Sequence, residues 1–155
     1  MKIELATIED AVEILALQKL AYRSEAEIYN DFSIQPLTQT LEEIESEFES
    51  HSVFKAIRED NLVGSVRTTV KGDTCFAGKL IVHPAYQNRG IGYALLTHIE
   101  SHAGAIRRFE LFTGHRSERN LYLYRKLGYR EFKREMVNSR LTLVFMEKQL
   151  EATLQ

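Results

Sequence analysis

The stretch Gln87-Asn88-Arg89-Gly90-Ile91-Gly92 narrows what this chain can fold into more than any other. It follows an apolar run, Leu80-Ile81-Val82, closed by His83-Pro84, and leads into a pattern with apolar residues at Ile91, Leu95 and Ile99. A strand, a short glycine-bearing turn and a helix start therefore come in that order. Such a turn presents unpaired backbone N–H groups at the positive end of a helix, which is a site for phosphates. A side chain at Gly90 or Gly92 would keep a phosphate away from the backbone. The spacing Gln-x-x-Gly-x-Gly is neither the dinucleotide fingerprint G-x-G-x-x-G nor a P-loop, which needs Gly-Lys-Ser/Thr.

With 155 residues, the chain is expected to form one domain over 1–155 with a sizeable core. No stretch approaches the roughly 20 apolar residues of a membrane span. The opening Met1-Lys2-Ile3-Glu4 has no signal-peptide core, so a cytoplasmic location is expected. A single cysteine, Cys75, excludes an intrachain disulfide framework and suits a reducing compartment. No histidine neighbours it in sequence, so it reads as a small residue on a half-buried strand rather than a nucleophile. The formal net charge of −2 argues against a protein whose main task is gripping nucleic acid. The basic residues between Arg107 and Arg140 are interleaved with acids and apolars, as on solvated faces, with one or two free to reach a ligand phosphate. No constellation of metal-ligand spacing stands out.

Lys2 to Ala6 alternates like a short strand, and Thr7 with Asp10 has capping-box spacing. Ile8, Ala11, Leu15 and Tyr22 then share one helical face. The rhythm is lost between Tyr22 and Leu37, which predicts a helix end and a loop before Pro36 and Leu37. A second helix is expected from about Thr38 to Ser50. Val53–Arg58 and Leu62–Val70 read as strands around a hairpin turn at Glu59-Asp60-Asn61. Thr74–His83 is a third strand, in which Gly78 signals a bulge or a close backbone approach. A helix from Arg89 to about Ala103 and a strand at Phe109–Thr113 follow. Ser117 caps a short helix carrying Leu121, Tyr124 and Leu127, with Gly128 at its C′ position. Tyr129–Val137 and Arg140–Lys148 end the pattern as two strands. The order β-α-α-β-β-β-α-β-α-β-β predicts an α/β (α+β) fold, a mixed sheet with helices on both faces.

Motif and element order together resemble the GNAT superfamily of acyl-CoA-dependent N-acetyltransferases. Leu80-Ile81-Val82-His83-Pro84-Ala85-Tyr86-Gln87-Asn88-Arg89-Gly90-Ile91-Gly92 looks like that family's strand, pyrophosphate turn and helix. Leu123-Tyr124-Arg125-Lys126-Leu127-Gly128-Tyr129 looks like its final helix and tyrosine. The resemblance implies a mostly antiparallel sheet of about seven strands, with acetyl-CoA in a cleft where the strand ending at His83 splays from Phe109–Thr113. It implies pyrophosphate contacts from the backbone of Asn88 or Arg89, Gly90, Gly92 and Tyr93, beside Gln87 and Ile91. It implies a pantetheine arm running along Leu80, Ile81 and Val82 like an added strand. One of those N–H groups is a candidate donor to the thioester oxygen as it becomes an oxyanion. The family often carries an asparagine seven residues before the helix tyrosine. Ser117 stands there in this chain and Asn120 is the nearest asparagine, so both are candidates for the cofactor contact, with a plain helix cap the other reading of Ser117.

The activity implied is acetyl transfer from the thioester to a primary amine, of a small molecule or a peptide, by direct attack in a ternary complex. A non-catalytic acyl-CoA-binding regulatory domain is the alternative. An alkylammonium, with a pKa of about 10 like that of lysine, must lose a proton before it attacks. The leaving thiolate gains from a proton donor, and the resemblance assigns that role to Tyr124. Glu110 is the first candidate for the base, with Glu27, Asp31 and His115 behind it and a water chain as the alternative. His83 reads as structural. The resemblance implies that the acceptor meets the segment Tyr22–Leu37, and the acids and aromatics of its stretch Tyr22–Phe32 suit an amine with an apolar body. Expected partners are the amine acceptor and a possible second copy pairing through the last two strands, with no membrane and no nucleic acid.

Overall fold

The computed structural model describes residues 1–150. Seven strands form one sheet: β1 Lys2–Leu5, β2 Ser52–Arg58, β3 Asn61–Lys71, β4 Thr74–Val82, β5 Arg108–Gly114, β6 Arg130–Met136 and β7 Thr142–Gln149. Their spatial order is β1-β2-β3-β4-β5-β7-β6. Every neighbouring pair is antiparallel except β4 and β5, which run parallel. The parallel pair needs a long crossover, and the helix that starts at Ile91 supplies it.

The five helices are α1 Ala11–Tyr29, α2 Gln35–Thr38, α3 Leu41–Ser50, α4 Ile91–Ser101 and α5 Glu118–Lys126. Successive residues of a strand point to opposite faces. On β2, Val53 packs into a cluster with Ala11 and Ile14 of α1 and Ile44 of α3. Its neighbour Phe54 meets the His98 ring of α4, with centroids 5.6 Å apart. Helices therefore cover both faces. The larger core lies under α4 and α5, around Leu95, Leu96, Phe109, Tyr129 and Met146. Cys75 belongs to it, and burial pushes its thiol up to about 11, which makes it a packing residue.

The helix expected to end near Tyr22 continues to Tyr29, where Asn30 turns left-handed (φ 48°) and closes it. The apolar rhythm fades because the inward positions from Gln18 onward include polar and small residues: Gln18 and Ala26 are fully buried, and Tyr29 is 5% exposed. A short turn, α2, then precedes α3, whose cap is Thr40 in a capping box with Glu43. The bulge expected at Gly78 falls one residue later. Gly78 pairs with Arg67, and the register slips across Lys79 and Leu80. Lys79 itself has φ +47°. A left-handed lysine costs about 1–2 kcal/mol. Its ammonium is held by Gln39 Oε1 at 3.1 Å and Glu47 at 3.3 Å, which ties the strained residue to α3.

Candidate active site

The parallel pair is short. Thr74, Cys75 and Phe76 register with Arg108, Phe109 and Glu110, and beyond Phe76 no residue of β4 pairs with β5. The strands part, and α5 and the N-terminus of α4 close over the gap. A cleft of about 1100 Å³ runs through it. Its walls come from β4 (Leu80, Ile81, Val82), the turn and first residues of α4, the start and outer face of α5, and the second half of α1.

The turn before α4 has the required backbone. Gly90 is the N-cap at φ 78°, a conformation L residues resist, and a Cβ there would meet nothing within 4 Å. The first N–H groups of α4, from Ile91, Gly92 and Tyr93, have no partner within the helix. All three residues line the cleft. Gly92 is a glycine for a second reason: a Cβ there would lie 3.1 Å from Leu123 Cδ2, so α4 and α5 touch at this point.

Gln87, Asn88 and Asn120 also line the cleft, as does Ser117. Arg89 does not. Its guanidinium sits over the ring of Tyr86, 5.4 Å from the centroid. Asn120 donates to Thr113 Oγ1 at 3.2 Å, which leaves its carbonyl oxygen for a ligand. Ser117 occupies the N-cap position of α5, yet its hydroxyl caps nothing. It donates to Glu25 Oε2 at 2.6 Å and lies 2.8 Å from the Tyr29 hydroxyl. The sequence contained no local signal for either contact, because both cross from α1 to the start of α5.

Tyr124 lies just under the lining, 4% exposed, with its ring 6.1 Å from that of Tyr129. Burial first, then the neighbouring Tyr22 and the Glu25 charge, raise its pKa far above the ordinary phenol value. It is therefore a neutral O–H, a donor and not a base.

Glu110 falls outside the cleft. It sits where β4 and β5 are still paired, opposite Phe76, and its carboxylate accepts from Arg108 at 2.9 Å. Arg108 also holds Glu147. Alternation along β5 explains the miss: Phe109, Leu111 and Thr113 are buried, whereas Arg108, Glu110 and Phe112 share the other face. Asp31 is also outside the lining and is engaged locally, accepting from the Ser33 hydroxyl and N–H, which hold its carboxyl below the usual range. His115 lines the cleft, with Nδ1 3.0 Å from the Thr142 N–H. The same nitrogen lies 3.2 Å from the Thr142 carbonyl oxygen, so it is taken up by the backbone at the start of β7. His83 accepts from the Ala85 N–H and stacks edgewise on Tyr86, a structural role.

The carboxylates of the α1 wall are Glu25, half-buried, and Glu27, exposed. Across the cleft, α5 contributes Arg119 and Lys126 beside the positive end of α4. Arg116 and Glu118 line the cleft as well, so the walls carry both signs of charge, with Lys126 nearest the positive end of α4, its ammonium 5.6 Å from the Tyr93 ring centroid.

A mixed seven-stranded sheet, parted at its parallel pair beside a glycine-capped helix N-terminus, is an acyltransferase frame. The chain belongs to the GNAT acetyltransferase family: the profile of the acetyltransferase (GNAT) domain matches residues 49–131, more than half of it. Among solved structures it is similar to an N-acetyltransferase from Staphylococcus aureus Mu50 (TM-score 0.76, 20% identity, 97% of this chain and 98% of that one). It is also similar to yncA from Salmonella typhimurium, solved with its cofactor acetyl-CoA (TM-score 0.76, 18% identity, 100% and 96%). At these identities the likeness is one of fold. A curated relative, the UPF0157 protein YqkA of Bacillus subtilis, is 30% identical over 122 residues, covering 78% of this chain. The chain spans 35% of that protein's length. Among the described residues, no helix is long and apolar enough to cross a membrane, and no cluster of three or more His, Cys, Asp or Glu is arranged to hold a metal.

Proposed function

We propose that this chain is an acetyl-CoA-dependent N-acetyltransferase acting on a primary amine. The observation that carries the reading is the parting of β4 from β5 at Phe76, with the uncapped N–H groups of α4 opening on the gap. The residues present fit the cofactor. The open space above Gly90 and the N-terminus of α4 suit a pyrophosphate. Arg119 and Lys126 add cationic donors for phosphate. The unpaired edge of β4 at Leu80–Val82 suits an extended arm that carries amide groups. Acetyl-CoA, when bound, supplies the activated acyl group.

The chain's own residues then have distinct tasks. Backbone N–H groups hold phosphate oxygens. Tyr124 keeps its proton through neutral pH and above, and donates it to the departing sulfur. Carboxylates of α1 face the acceptor and favour an amine over an anion. The amine attacks directly while both substrates are held, so no side chain needs to carry the acyl group.

Isothermal titration with acetyl-CoA and with CoA, on the parent chain and on Gly90→Val, tests the reading. Micromolar binding to the parent, weakened at least about tenfold in a folded Gly90→Val, is expected, since a β-branched residue at this φ displaces the turn. No binding of either ligand to folded parent protein would sink it.

A further inference from the structure

Within the amine-acetyltransferase reading, on which this rests, one arrangement has no part yet: Glu25 stands at the end of a buried hydrogen-bond chain. Its Oε2 is 2.6 Å from Ser117 Oγ. Ser117 Oγ is 2.8 Å from the Tyr29 hydroxyl. The Tyr29 oxygen accepts from the Arg116 N–H at 3.0 Å. Ser117 is 2% exposed and Tyr29 5%, so the geometry is fixed by packing.

Counting donors gives the chain a direction. An ionised carboxylate only accepts. Ser117 has one proton, and it goes to Glu25. The Tyr29 O–H must then donate to Ser117, while its oxygen accepts from Arg116. All dipoles run towards Glu25, and the contact pins one of its oxygens. The other oxygen, Oε1, has no partner among the described residues, and Glu25 lines the cleft. The fold makes room for this chain. Gly114, at the end of β5, lies so close to Tyr29 that a Cβ would collide with the hydroxyl.

The rival bases are otherwise engaged. Glu110 is paired with Arg108 outside the cleft, Asp31 is held by Ser33, and the Nδ1 of His115 is engaged with the Thr142 backbone. Glu27 lines the cleft but is exposed. Glu25 also lies near enough to Tyr22 and to the proposed acid Tyr124 for its charge to raise both phenols.

We propose that Glu25 is the carboxylate that takes the acceptor's proton, with Ser117 and Tyr29 as its positioning residues. The proton balance closes. A primary ammonium gives up two protons as its nitrogen bonds to the acyl carbon and the carbon–sulfur bond breaks. One ends on sulfur. The other passes to Glu25 and from there to water, which restores the carboxylate.

The test pairs each amine of a primary-amine panel with the hydrazine of the same shape, beginning with benzylamine and phenylhydrazine. Benzylamine is an ammonium at pH 7 and must be deprotonated; phenylhydrazine is already neutral. Thiol release is followed for the parent chain, Glu25→Gln, Glu27→Gln and Tyr29→Phe, with acetyl-CoA binding measured by titration. Glu25→Gln is expected to lower kcat/KM for the alkylamine about 10²–10⁴-fold, the span of general-base contributions, and for the hydrazine less than about tenfold. Its acetyl-CoA affinity should match the parent's. Tyr29→Phe should lower kcat for the alkylamine about tenfold with acceptor KM nearly unchanged, since it loosens the base and not the wall. Equal losses on both acceptors would overturn the base assignment, as would a large loss in Glu27→Gln with none in Glu25→Gln. A parent chain that binds acetyl-CoA but releases no thiol with any acceptor would overturn the transferase reading instead.

Discussion

At the scale of single residues, Tyr124 has a clear consequence. Its proton is held by burial and by the charge on Glu25, so the group stays a donor well into the alkaline range. Tyr124→Phe removes the proton and keeps the ring that packs beside Tyr129. Steady-state kinetics should show kcat lowered about 100-fold, within the 10²–10⁴ range of general acids, with acetyl-CoA affinity and Tm close to the parent's. A kcat within threefold of the parent's would remove Tyr124 from the mechanism. The helix that carries Tyr124 was legible in the sequence because it has a motif. The contacts of Glu25 were not, because Ser117 and Tyr29 approach it only in the folded chain.

Among elements, α4 and α5 meet at Gly92 and Leu123, both in the wall of the cleft. Gly92→Ala brings two opposed effects. Alanine favours a helix over glycine by up to about 1 kcal/mol, less in a first turn. The new methyl crowds Leu123 Cδ2 at 3.1 Å, so one side chain must give by a few tenths of an ångström. Leu123 lines the cleft and is only half-buried, so it yields into the ligand's space. The expected outcome is a Tm within about 2 °C of the parent's and acetyl-CoA binding weakened several-fold. Unchanged affinity would show that Leu123 yields elsewhere. Element boundaries followed the sequence at the β2–β3 hairpin, where Glu59 and Asp60 sit at positive φ. The helix expected from about Thr38 begins instead at Leu41, because Thr38 ends α2 and Thr40 with Glu43 forms the cap; boundaries shifted there by about three residues. They failed in α1, whose second half faces the cleft and a polar network instead of an apolar core.

Across the whole molecule, that polar network joins parts far apart in sequence. Arg67 on β3 is 3% exposed and donates to Glu47 at 2.8 Å. Gln18 of α1, Gln39 before α3 and Lys79 at the β4 bulge complete it. Burial pushes the Glu47 carboxyl up, but the Gln39 amide and the Arg67 and Lys79 charges outweigh it and hold it below its ordinary 4.5. A carboxyl depressed on folding stabilises fully above its ordinary value and loses that contribution as pH falls through the folded one. Glu47→Gln leaves two cations without their anion. The expected loss is about 3 kcal/mol at pH 7, the lower end for breaking a buried pair, because Glu47 keeps some solvent contact. Denaturant unfolding at pH 7, 5, 4 and 3 should show the gap between parent and variant narrowing only below about pH 4.5. A gap independent of pH would mean that the charge on Glu47 is not what stabilises.

What the sequence determined alone was whatever depends on short-range chemistry. The strand–turn–helix at Leu80–Gly92, the tyrosine helix, the hairpins and the element order follow from side-chain period, capping and glycine placement, all read within a few residues. The tertiary structure decided which carboxylates line the cleft, where the bulge falls, and that Glu110 lies outside it. These depend on register and on contacts between α1 and the start of α5, roughly 90 residues apart in the chain. Along β5 side chains alternate, so Glu110 shares its face with Arg108 and Phe112 and pairs with Arg108, while Phe109, Leu111 and Thr113 are buried on the other.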